Sequence, residues 1–205
     1  MSTDVTTPLG QAALDLVKAS ESTAIANHSI RSWRFADRLA QHRGLTAGQD
    51  YDGDALFYAT VLHDIGLSPS GQQRPDRFEV AGADLAAEFL DSHGVQADTI
   101  ETVWEAIALH SSNGIASRRG LVCQLCHGGI MLDFGAGSEF LSDADGAAMH
   151  ADLPRLALGT TLTGEIVNQA ELAPSKRPPA SLGDVLFRSA HGITEHPFTA
   201  GRWGD

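Results

Sequence analysis

Apolar positions recur with helical spacing along most of the chain, and no stretch shows the persuasive two-residue alternation of a half-buried strand. Thr7 followed by Pro8 has the form of an N-cap with proline at the first helical position, opening a helix to about Ala19. A second helix is expected from about Ser22 to Ala40, apolar at Ile25, Ile30, Trp33, Phe35 and Leu39. Residues 44–53 form a polar loop, after which Asp54 caps the apolar helix ALFYATVLHDI, closed by Gly66 and Pro69. The stretch 67–74, LSPSGQQR, reads as an exposed turn. Further helices are expected over about 77–92 and, from a capping box at Asp98 and Glu101, through ETVWEAIALH. A loop over 111–117 leads to a helix over 121–134, weakened by Gly128 and Gly129 at roughly 1 kcal/mol each relative to alanine. Beyond Asp152 the pattern suggests a helix over about 162–171, the turn SKRPPAS, a short helix over 182–190 and a loose tail. The prediction is an all-α protein.

The 205 residues suit one domain with a single sizeable core, and 42% hydrophobic with 20% charged residues is an ordinary globular balance. A formal net charge of −12 repels phosphate backbones and anionic lipid, so neither nucleic acid nor membrane is an expected partner. A small anionic substrate is not excluded, because a metal ion can reverse the field locally. No segment approaches the ~20 apolar residues that cross a bilayer. The first ten residues lack the basic and apolar regions of a secretory signal. Only two cysteines occur, Cys123 and Cys126, too close together for a stabilising framework, and a reduced cytoplasm is the expected location.

Candidate chemistry lies in polar residues embedded in apolar sequence. His28 falls within the second helix, with Arg31 three residues on; His63 and Asp64 end an apolar helix; Asp133 ends another. An unpaired polar group at such positions costs several kcal/mol, so each demands a partner. A divalent cation would satisfy all four together, imidazole and carboxylate being suitable ligands for zinc, iron or manganese. A buried histidine bonded to a backbone carbonyl is the simpler alternative for each one alone, and the residues by themselves leave both readings open.

The order His28, then LHDIG at 62–66, then Asp133 resembles the H…HD…D signature of the HD superfamily of metal-dependent hydrolases, over residues 20 to 140 or so. The resemblance implies a single-domain helical fold around a central divalent metal, zinc by first choice, held by His28, His63, Asp64 and Asp133. A C-terminal helical extension over about 152–205 would pack on the core, cover the pocket or mediate dimerisation. NHSIR at 27–31, RFEVAGAD at 77–84 and EAIALHSSNGI at 105–115 further resemble the cyanamide hydratase branch, whose members add water to the carbon–nitrogen triple bond of cyanamide to give urea. On this resemblance His110 is a candidate acid/base or additional ligand, although a histidine at a helix C-terminus also suits the helix dipole. Glu79 is a candidate for orienting water or a ligand histidine, or an ordinary first-turn acid. Arg31 is a candidate for holding a ligand carboxylate or an anionic substrate, or else for a surface salt bridge, and Ser111 and Asn113 for lining the pocket mouth.

The expected partner is a small-molecule substrate, with a homo-oligomer left open. A phosphohydrolase acting on a nucleotide or other phosphate ester is the alternative function, and a non-enzymatic module with a structural metal is a third. Cys123-Gln-Leu-Cys126-His127 fits a haem-attachment pattern, but buried thiols packing in a core are the favoured reading. His42, His93, His150, His191 and His196 form no spacing that suggests a site.

Overall fold

The computed structural model describes residues 7–194 and, within them, is built of ten α-helices and short 3-10 turns without a β-strand. His196 and residues 1–6 lie outside the described residues. The expected opening is present: Thr7 is extended, its Oγ1 accepts from the Gly10 amide at 3.0 Å, and Pro8 begins α1 (Pro8–Ser20). Ser22 caps α2 (Thr23–His42), which is buried on most of its surface and forms the centre of the molecule.

Two local expectations around the next helix are corrected. Asp52, not Asp54, is the cap of α3 (Gly53–Val61): its Oδ1 accepts from the amides of Asp54 at 2.9 Å and Ala55 at 3.0 Å. The helix also stops before His63. The Thr60 carbonyl, which another helical turn would use, faces the His63 ring instead, 2.8 Å from Nδ1. His63 and Asp64 therefore sit in the turn leading to a 3-10 segment, Ile65–Leu67. The stretch expected to be exposed is partly buried: Leu67 and Ser68 are inside, followed by the short α4 (Pro69–Gln72). Gly66 makes this possible, since a Cβ there would lie 1.9 Å from the Phe78 carbonyl oxygen at the start of α5 (Phe78–Ser92).

The proposed capping box at Asp98 is also corrected, because α6 (Ala97–Leu109) starts directly after Gln96 without a side-chain cap bond. Asp98 lies in its first turn, where an acid complements the helix dipole. A 3-10 turn (Ala116–Arg118) leads into α7 (Leu121–Asp133). α7 packs closely on α2: a Cβ at Gly129 would come within 2.3 Å of the Ser32 carbonyl oxygen and 2.7 Å of Ala36 Cβ. The glycine that weakens α7 as a helix thus permits its contact with α2. Helix propensity alone would make Gly129→Ala stabilising by ~1 kcal/mol. Overpacking predicts the opposite, a loss of ~1–3 kcal/mol measurable by urea denaturation.

α8 (Asp143–Asp152), not anticipated, is opened by a reciprocal capping box between Ser142 and Asp145. α9 (Leu158–Leu172) begins earlier than expected, after Leu156 and Ala157 adopt left-handed backbone at φ 50° and 59°. α10 (Leu182–Ala190) matches the expected span and is capped by Ser181. One core joins α1, α2, α3, α5, α6 and α7; a smaller cluster of Ile25, Leu67, Phe78, Leu158 and Ile166 fastens α9 to α2 and the 3-10 turn after Asp64. The C-terminal helices therefore pack on the core. No helix among the described residues is long and apolar enough to cross a membrane.

Candidate metal centre

Each of three histidines has its Nδ1 turned outward onto a fixed acceptor. His28 Nδ1, on α2, lies 2.6 Å from Asp133 Oδ2; His63 Nδ1 meets the Thr60 carbonyl at 2.8 Å; His110 Nδ1, at the end of α6, meets the Ile107 carbonyl at 2.7 Å. A carbonyl can only accept, and an ionised carboxylate likewise, so Nδ1 carries the proton in every neutral ring. The Nε2 lone pairs then face inward. All three approach one carboxylate: His63 Nε2 is 3.1 Å from Asp64 Oδ2, His28 Nε2 is 3.9 Å from the same oxygen, and His110 Nε2 is 3.8 Å from Oδ1.

This is a cluster of acceptors without a donor. His28 Nε2 and Asp64 Oδ2 are buried with no hydrogen-bond partner among the described residues. Ligand atoms of His28, His63 and Asp64 lie within 4.8 Å of one another, close enough to share one ion. Electrostatics agree. Burial, followed by the neighbouring His63 charge, lowers His28 and His110 from their ordinary values, the latter to about 4, so both are in the neutral form that binds metals. Burial would raise Asp64, but His63, then His110 and His28, outweigh it and hold the carboxyl well below the usual range. His63 moves the other way: burial lowers it, yet the neighbouring Asp64 carboxylate raises it further. The residues present fit a divalent ion.

Residues 25–152, more than half of the chain and including every residue of this cluster, match the HD domain family. The chain belongs to the HD domain family. HD domains bind divalent metals and are generally metal-dependent hydrolases, and this chain has a buried His/His/Asp group that could hold such an ion. Comparison with curated proteins returned no match.

Asp133, expected as a fourth ligand, lies on the Nδ1 side of His28. Arg31 grips it with a two-pronged contact, Nε to Oδ1 and Nη2 to Oδ2, both at 2.7 Å, while His28 Nδ1 takes Oδ2 as well. It stands behind His28, where it orients the ring and raises its basicity. Burial would raise the Asp133 carboxyl, but Arg31 and His28 outweigh it and hold it far below the ordinary range. Arg31, named in the sequence for holding a carboxylate or a substrate, is fully buried, and its Nη1 donates to the Leu153 carbonyl at 2.8 Å.

Glu79 is buried between Arg77 and Ser111. Arg77 Nε donates to Oε2 at 2.9 Å, and Ser111 Oγ donates to Oε1 at 2.6 Å. Its visible work is to hold the loop after His110, and a contact with the Asp64 cluster is not among its bonds. Ser111 and Asn113 line a cavity of about 160 Å³ together with His28, His63, Asp64 and His110.

Several participants were not legible from spacing. His127 Nδ1 donates to the His110 carbonyl at 2.7 Å, tying α7 to the end of α6. Cys123 and Cys126 are buried free thiols; burial raises both, Cys123 to about 11, which makes them packing groups rather than nucleophiles. His150, set aside in the sequence, comes within 3.8 Å of Asp133 Oδ1. Glu21 has both carboxyl oxygens buried without a partner among the described residues, and burial, then the Asp64 charge, raises it well above the usual range.

Proposed function

We propose that the chain is a metal-dependent hydratase or hydrolase of small uncharged molecules, most like the cyanamide hydratases, adding water to a nitrile-type carbon–nitrogen triple bond. The observation that carries this reading is the convergence of three imidazole Nε2 atoms on Asp64. His28, His63 and Asp64 hold the ion, zinc by first choice, with iron or manganese next. Asp133 acts through His28 rather than on the ion. When bound, the metal lowers the pKa of water and polarises the reacting group.

His110 is the acid/base. Its Nδ1 proton is committed to the Ile107 carbonyl, leaving Nε2 as the free base on the cavity side. Nε2 accepts a proton from water as the water oxygen bonds to the electrophilic carbon, then returns that proton to the substrate nitrogen. One C–O bond forms, one carbon–nitrogen π bond is lost, and tautomerisation gives an amide, or urea from cyanamide. Ser111 spends its hydroxyl proton on Glu79, so toward the cavity its oxygen offers lone pairs to a substrate N–H.

His110→Ala is expected to lower turnover by about a hundredfold, the usual weight of a general acid/base, while metal content by elemental analysis stays near that of the parent. Joint loss of metal would make His110 a ligand instead.

The phosphohydrolase reading belongs to the same family. What counts against it is that no lysine or arginine lines the cavity among the described residues, so a phosphate would have only the ion to balance it. Assay of the zinc- and manganese-loaded protein on cyanamide and on an aryl phosphate separates the two. Urea release with no phenol release supports the hydratase; the reverse sinks it.

A further inference from the structure

Part of the cavity lining comes from outside the family match. Leu162 and Ile166 on α9 and Leu182 at the start of α10 line it, yet the match ends at residue 152. These side chains are held firmly. Gln169 Nε2 donates to the Gly66 carbonyl at 2.7 Å, two residues from Asp64, and the buried Lys176 ammonium donates to the Gly71 carbonyl at 3.0 Å and to Gln169 Oε1 at 3.1 Å. Ile166 also packs with Ile25, Leu67 and Phe78 in the smaller core cluster. The wall is thus a rigid, aliphatic part of the fold.

Its chemistry restricts what fits. The three nearby guanidinium groups are committed, Arg31 and Arg155 to Asp133 and Arg77 to Glu79, so the non-reacting end of a substrate meets no free counter-charge. A cavity of about 160 Å³ has more room than cyanamide fills, and the extra room faces hydrocarbon. Cyanamide would leave that surface covered only by water, whereas an alkyl or aryl group would bury it.

We propose that Leu162, Ile166 and Leu182 form a specificity-determining subsite for the hydrocarbon end of the substrate, so that the preferred substrates are small uncharged nitriles bearing an alkyl or aryl group, ahead of cyanamide. The proposal rests on the reading of His28, His63 and Asp64 as the metal centre. Burial of a methylene contributes about 0.8 kcal/mol, equivalent to about fourfold in affinity. Substrate selection in this chain therefore resides in the two helices that follow the family match, while the match itself supplies the ion and the proton transfer.

The test uses the cobalt-loaded full chain and a homologous series of straight-chain alkyl hydroxamates from acetyl to hexanoyl. The hydroxamate head chelates a metal regardless of turnover, and its binding is read from the visible spectrum of cobalt. Affinity should rise about fourfold per added methylene until the cavity is full. Leu182→Phe should shorten the chain length at which the rise stops, and Leu162→Ala should lengthen it. Metal content measured alongside confirms that each variant retains its ion. Binding that is independent of chain length, or a limit that neither variant moves, overturns the subsite while leaving the metal centre intact. A protein that retains no cobalt and binds no hydroxamate overturns the metal centre and the subsite with it. With nitriles, kcat/KM should follow the same order, with butyronitrile ahead of cyanamide; the reverse order contradicts the proposal.

Discussion

Asp64→Asn is expected to empty the metal centre and abolish most turnover in one step. The asparagine has nearly the same shape, so the fold is little disturbed, but the anion on which three imidazoles converge is gone. Without it the ion meets only neutral donors. Loss of the ion removes several kcal/mol of charge stabilisation; at ~4 kcal/mol that is about a thousandfold in rate. Elemental analysis and activity measured on the same preparation should fall together. A variant that keeps its metal and its turnover would show that Asp64 is not a ligand. One that loses turnover but keeps its metal would move the residue's role from binding to chemistry.

Arg31→Met should be the most damaging change to stability, although the side chain touches no substrate. Its guanidinium and the Asp133 carboxylate are both buried, joined by two contacts of 2.7 Å. Removing one partner of such a pair leaves an uncompensated buried charge, at a cost of about 3–5 kcal/mol. The double change Arg31→Met with Asp133→Leu removes both charges, and a well-packed apolar replacement of a buried pair is often nearly neutral. Urea denaturation should therefore find the double variant more stable than the single one. Equal losses in the two would show that packing around Arg31, rather than the stranded carboxylate, sets the cost. His28 would lose its orienting partner in the double variant, so recovered stability should come without recovered metal affinity.

The parts of this protein that were legible in its sequence are those governed by local pattern. His28, His63 and Asp64 stood out because they interrupt apolar helical sequence, and burial then forces a partner on them. The all-α architecture followed from periodicity, and α10 from the apolar run that follows the turn SKRPPAS. What spacing could not show is which way a carboxylate faces. Asp64 and Asp133 are both acids at the end of apolar segments, but a guanidinium 102 positions away in sequence turns one of them away from the cluster. Arg31 was noted for sharing the helix face of His28, while its destination depended on how α7 packs across α2. That packing depends on Gly129, which local propensity treats only as a defect. Asp52 and Asp54 are equally plausible caps in the sequence DGD, and backbone geometry chose the earlier one. The apolar wall from Leu162, Ile166 and Leu182 was hidden for the same reason as Asp133, because tertiary contacts across more than a hundred residues leave no local trace.

The most direct test is a crystal structure of the metal-loaded protein, with anomalous scattering recorded at the absorption edge of the bound ion. One strong peak is expected in bonding reach of His28 Nε2, His63 Nε2 and an Asp64 oxygen, at about 2.0–2.2 Å if the ion is zinc. His28 Nδ1 should remain on Asp133. A peak away from these atoms, or rings whose Nε2 atoms are satisfied by protein donors with no ion between them, would contradict it.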